Sequence, residues 1–99
     1  MNKILVTVES DLQDLIPDYL ENRVKDLSAI EDCLGKGDYD AIRRMAHRMK
    51  GSGGGYGFDG ITAIGAAMEQ AAVANDSGEI KRQAQALKDY LDRVEITYV

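Results

Sequence analysis

Residues 41–57 read Ala41-Ile42-Arg43-Arg44-Met45-Ala46-His47-Arg48-Met49-Lys50-Gly51-Ser52-Gly53-Gly54-Gly55-Tyr56-Gly57. Ile42, Met45, Ala46 and Met49 recur at three- and four-residue steps, which is the spacing of one buried helix face. At about 100° per residue, His47 points roughly 150° away from that face, towards solvent. Arg43 and Arg44 lie one turn before His47 and Lys50 one turn after it, at spacings that bring side chains together on a helix surface. Above His47 on its own face stand Gly51 and Gly54, which carry no side chains. His47 is the only histidine in the chain.

The same periodicity extends outward in both directions. Leu12, Leu15, Ile16, Tyr19, Leu20, Leu27, Ile30 and Leu34 form a stripe before this stretch. Ile61, Ile64, Gly65, Met68, Ala71 and Ala72 form one after it, and Ile80, Ala84, Leu87, Leu91 and Val94 form the last. Gly35-Lys36-Gly37, Gly53 to Gly57, and Asn75-Asp76-Ser77-Gly78 punctuate the stripes. Each break is short enough to join antiparallel neighbours. The pattern predicts an all-α chain of four amphipathic helices.

Pro17 lacks an N–H and disfavours helical geometry in the residue before it, so a short N-terminal helical turn should precede a longer helix beginning near Pro17. Asp38, Asp59 and Ser77 precede the second, third and fourth stripes, and each is a residue type that accepts a bond from an orphan helix N–H. Ile4 to Val8 and Val94 to Val99 are β-branched; whether they lie beside each other as short strands stays open.

A chain of 99 residues accommodates one domain, spanning residues 1–99. With 44% hydrophobic and 29% charged residues it falls among ordinary folded proteins. The single cysteine, Cys33, excludes an internal disulfide, and one Cys with one His cannot furnish a structural zinc site. The apolar opening is too short for a signal-peptide core, and no stretch approaches membrane-spanning length, so a cytoplasmic protein is expected. A net charge of -5 argues against general nucleic-acid binding. From Ala41 to Phe58 there are four bases and no acids, so one basic segment, containing the histidine, sits on an acidic body.

These features suit an imidazole that accepts a phosphoryl group. An exposed ring nitrogen can attack in line, neighbouring cations disfavour the imidazolium, and Lys50 can hydrogen-bond the arriving oxygens. Helix glycines at 51 and 54 cost about 1 kcal/mol each relative to Ala, and close approach of a partner to His47 would compensate. The plainer alternative makes Gly53 to Gly57 a flexible turn and Gly51 a fraying helix end. A nucleotide-cradling loop is disfavoured, because Lys50 precedes the glycines, a helix rather than a strand leads into them, and no acid nearby can hold Mg²⁺.

Ala46-His47-Arg48-Met49-Lys50-Gly51-Ser52-Gly53-Gly54-Gly55-Tyr56-Gly57, followed by Ile64-Gly65-Ala66-Ala67-Met68-Glu69-Gln70-Ala71-Ala72, resembles the signature of histidine-phosphotransfer (HPt) domains. In that family the pattern is roughly Ala-His-x-Leu-Lys-Gly-small-small, a glycine-containing turn, then a helix carrying Leu-Glu. Met49 and Met68 stand where leucines are usual, and both are close to Leu in volume. The resemblance implies an antiparallel four-helix bundle with His47 midway along an exposed helix face. It also implies His47 as phosphoacceptor, Lys50 as its electrostatic aid, and Gly51 as clearance for the partner. Glu69 matches the family's helix position, but the residues alone give it no chemical role, and a structural one is expected.

The resulting expectation is a phosphorelay intermediate with His47 and Lys50 at the reacting centre and Arg43, Arg44, Gly51 and Gly54 on the docking face. It accepts a phosphoryl group from a receiver aspartate and passes it to a response-regulator receiver. The resemblance implies receiver domains and a hybrid histidine kinase as partners, with no cofactor held by this chain and Mg²⁺ brought by the receiver. With one apolar stripe per helix, a monomer is expected, and no nucleic acid or membrane enters. The alternative is an adaptor that docks on receivers without being phosphorylated; a plain structural bundle would leave the exposed His, the bases and the helix glycines unexplained.

Overall fold

The computed structural model describes residues 2–99. Strand β1 (Ile4–Val8) leads through a 3-10 turn (Ser10–Leu15) into α1 (Ile16–Lys36). Helix α2 (Tyr39–Gly53) follows, then a second 3-10 turn (Gly54–Tyr56), α3 (Asp59–Val73), α4 (Ser77–Arg93) and strand β2 (Val94–Tyr98). The all-α, four-helix architecture and the short N-terminal helical turn expected from the stripes are both present. Among the described residues, no helix is long and apolar enough to cross a membrane.

Local chemistry sets the boundaries. Pro17 falls in the first turn of α1, where its missing N–H costs nothing. The helix stops at Gly37, whose φ of 68° suits a residue without Cβ, and the Gly37 and Asp38 N–H groups close back onto the Leu34 and Cys33 carbonyls. Asp38 caps α2 as expected, its carboxylate accepting from the Ala41 N–H at 3.1 Å. Two expected caps are corrected. Phe58 holds the N-cap position of α3, leaving Asp59 in the first turn, where its charge meets the positive end of the helix. At α4 the cap is Asp76 rather than Ser77, and it accepts from the Glu79 N–H at 3.1 Å.

The core forms two joined clusters. One gathers Ile30, Ile42, Ala46, Met68, Ala71, Ala72 and Ile80; the other gathers Ile16, Tyr19, Met49, Phe58, Ile61, Leu87 and Tyr90 with Val6 and Val8 of β1. Half-buried Ile64 packs against both. Phe58 lies outside the apolar stripes yet is fully buried, stacked on Tyr19 at 5.7 Å between ring centroids.

The open question of the chain ends has a definite answer: β1 and β2 pair in parallel, Ile4 opposite Val94 through Val8 opposite Tyr98. Parallel strands need a long crossover, and here the whole bundle is that crossover. The pair is anchored because Val6 and Val8 bury their side chains in the Tyr19–Phe58 cluster. Gly57, with φ of 91°, turns the chain beneath β1, where a Cβ would stand 3.0 Å from the Thr7 carbonyl oxygen.

Candidate functional site

The site lies on the seam between α2 and α3. Ile42, Ala46 and Met49 are buried and Met45 is half-buried, which turns the opposite side of α2 outward. The His47 side chain is accordingly 64% exposed, as its angle on the helix predicts.

Glu69 reaches across from α3. One carboxylate oxygen, Oε2, lies 2.7 Å from His47 Nδ1, and the other, Oε1, accepts from Lys50 Nζ at 2.8 Å. The hydrogen bond from Lys50, and then the one from His47, hold the Glu69 carboxyl below its ordinary range. Glu69 is therefore an ionised carboxylate at neutral pH and can only accept. The proton of a neutral imidazole consequently sits on Nδ1, and Nε2 keeps its lone pair. Among the described residues, no protein group hydrogen-bonds Nε2. An exposed nucleophilic nitrogen with its tautomer set from behind is the chemical content of the site.

The expectation of a structural role for Glu69 did not include this contact with His47 and Lys50. Its distance from His47 in sequence conceals the contact, which depends on how α2 and α3 cross. The residue's place in the Met68-Glu69 pair was the available signal.

The two arginines before His47 are paired within their own helix. Arg43 and Arg44 do not gather around His47; Arg43 bonds Asp40 at 3.0 Å and Arg44 lies 3.5 Å from the same carboxylate. Asp40 is one residue outside the acid-free window, three and four positions before its partners, and so takes both. The imidazole thus has an anion as its bonded neighbour.

Gly51 lies within α2 and is exposed, with no protein atom within 4 Å of where its Cβ would be. It leaves an open patch one turn from His47. Gly54 is exposed too, but it belongs to the 3-10 turn rather than to the helix. Between them Gly53 is buried against α3. The neighbouring end of α2 is tied to α1 through Ser52 Oγ, which lies 2.9 Å from Tyr19 Oη, while Arg23 covers the Tyr19 ring at 4.6 Å. Among the described residues, no three His, Cys, Asp or Glu side chains come together as a metal cluster.

A family model described as the Hpt domain matches residues 9–97, nearly the whole chain. No curated protein and no solved structure matches.

Proposed function

Because the chain belongs to the Hpt domain family, whose members serve phosphotransfer in two-component phosphorelays with receiver domains and kinases, we propose that His47 is its phosphoacceptor. The observation that carries this reading is the exposed imidazole bonded through Nδ1 to the Glu69 carboxylate. That arrangement leaves Nε2 as the attacking atom.

The lone pair of Nε2 attacks the phosphorus of a receiver's aspartyl phosphate. The N–P bond forms as the P–O bond to aspartate breaks, and the aspartate departs as a carboxylate. The ring keeps its Nδ1 proton and becomes an N-phosphorylated imidazolium, whose new positive charge faces Glu69. Transfer to a second receiver reverses these bond changes. Lys50, one turn from His47, holds Glu69 in place and offers its ammonium to the phosphoryl oxygens. Gly51 leaves room for the receiver, while Arg43, Arg44 and Gly54 lie on the docking face. The receiver brings Mg²⁺, and the protein works in the cytoplasm as a monomer, fed by a hybrid kinase.

The test is transfer from a phosphorylated receiver domain, scored as acid-labile, base-stable phosphate on this chain. His47→Gln should retain the fold and take up none. Equal labelling of the variant would show that the nucleophile is elsewhere. Binding of the receiver without labelling of the wild type would favour the adaptor reading.

A further inference from the structure

Glu69 reaches His47 across the α2–α3 seam, and at Gly65 the backbones of the two helices come into direct contact. A Cβ on Gly65 would stand 2.6 Å from the Lys50 backbone nitrogen, 2.9 Å from the Ala46 carbonyl oxygen and 3.0 Å from Lys50 Cα. These are backbone atoms of a helix and cannot swing aside. They also belong to the turn of α2 that carries His47 and Lys50. On α3, Thr62 lies one turn before Gly65 and Glu69 one turn after it. Thr62 Oγ1 donates to the Lys50 carbonyl at 3.1 Å. One face of α3 therefore carries a pin, a gap and a reaching carboxylate in succession.

We propose that Gly65 is a positioning residue for phosphotransfer: its missing side chain sets the α2–α3 separation at which Glu69 engages His47 Nδ1 and Lys50 Nζ together. The proposal rests on the reading of His47 and Glu69 given above. Atoms in ordinary van der Waals contact with a Cβ stand 3.4 Å or more from it, so a methyl group on Gly65, 2.6 Å from the Lys50 nitrogen, forces the helices apart by up to about 0.8 Å. Each Glu69 oxygen is already committed to its own donor, at 2.7 and 2.8 Å. A shift of that size takes these contacts to about 3.5 Å, past the length of a useful hydrogen bond. The imidazole then loses the partner that fixes its tautomer.

A double-mutant cycle on the full chain tests this, with a phosphorylated receiver domain as donor and ¹⁵N NMR of the His47 ring as a second readout. Gly65→Ala should slow transfer on the order of 10- to 100-fold, the scale of a misplacement near 1 Å. Its ring should lose the bias towards the Nδ1–H tautomer. In a Glu69→Ala background the same substitution should change the rate less than about two-fold, since the residue through which it acts is gone. Thr62→Val, which keeps size and removes the pin, provides a second variant if Gly65→Ala does not fold. It should give a smaller loss that also vanishes without Glu69. An undiminished loss in the Glu69→Ala background overturns the proposal. A wild-type ring spectrum in Gly65→Ala sinks the placement of Gly65 alone, whereas wild-type transfer by Glu69→Ala sinks the reading beneath it.

Discussion

Glu69 Oε2 stands 2.7 Å from His47 Nδ1, across the α2–α3 seam and 22 residues away in the chain. The contact fixes the Nδ1 proton of a neutral ring and leaves the Nε2 lone pair free, as the proposed transfer requires. Glu69→Ala should slow phosphotransfer about 10- to 100-fold, the scale of losing the hydrogen bond to the reacting ring, with little change in melting temperature because both of its donors, His47 and Lys50, reach solvent and rehydrate. Transfer kinetics and a thermal melt on one preparation check this. An unchanged rate would make Glu69 structural after all.

Lys50 donates to the other oxygen of that carboxylate at 2.8 Å. Lys50→Ala should slow transfer without abolishing it, again by a factor on the order of 10–100. A wild-type rate would remove Lys50 from the mechanism.

The pH dependence of the pair follows from the Glu69 carboxyl, which is held below its ordinary range chiefly by Lys50 and then by His47. A carboxyl whose folded-state pKa is depressed contributes stability above its unfolded value, and that stability is lost as pH falls through the folded value. The contact should therefore persist from neutral pH down to the ordinary glutamate range, about pH 4.3, and break only below it. Carboxyl ¹³C NMR should show Glu69 titrating below the exposed glutamates, with its midpoint moving up in Lys50→Ala. A midpoint at or above the ordinary range would contradict the hydrogen-bond pattern.

Two glycines separated by one residue should respond in opposite ways. Gly51→Ala places a methyl group in open space on a helix and should stabilise the fold by about 0.5–1 kcal/mol. Gly51→Gln should likewise fold, yet weaken receiver binding and transfer, because its side chain stands where the partner approaches. At Gly53 a Cβ would meet Thr62 Oγ1 at 2.7 Å, Thr62 N at 2.8 Å and Phe58 O at 2.9 Å. Gly53→Ala should cost about 1–3 kcal/mol by overpacking. Urea melts decide both, and normal transfer by Gly51→Gln would dispose of the clearance argument.

The legible parts of this molecule were the local ones. Apolar spacing located four helices and turned His47 outward, while Pro17 and Asp38 acted where their chemistry requires. Asp76 and Ser77 are adjacent and both suited to capping, so residue type could not choose between them. The missed contacts depend on tertiary placement: Phe58 enters the core from a turn, and Glu69 finds His47 only through the crossing of α2 and α3. Asp40 was a different matter, since its spacing to Arg43 and Arg44 is local and readable. Asp40 directly precedes the acid-free segment that begins at Ala41.

In the proposed transfer His47 takes the phosphoryl group on Nε2 while Nδ1 keeps its proton against Glu69. The most direct measurement is combined ³¹P and ¹⁵N NMR of the ring-labelled protein after reaction with a phosphorylated receiver. Phosphorus coupled to Nε2 of His47 and a retained Nδ1–H are expected. Phosphorus on Nδ1, or on any residue other than His47, would contradict it.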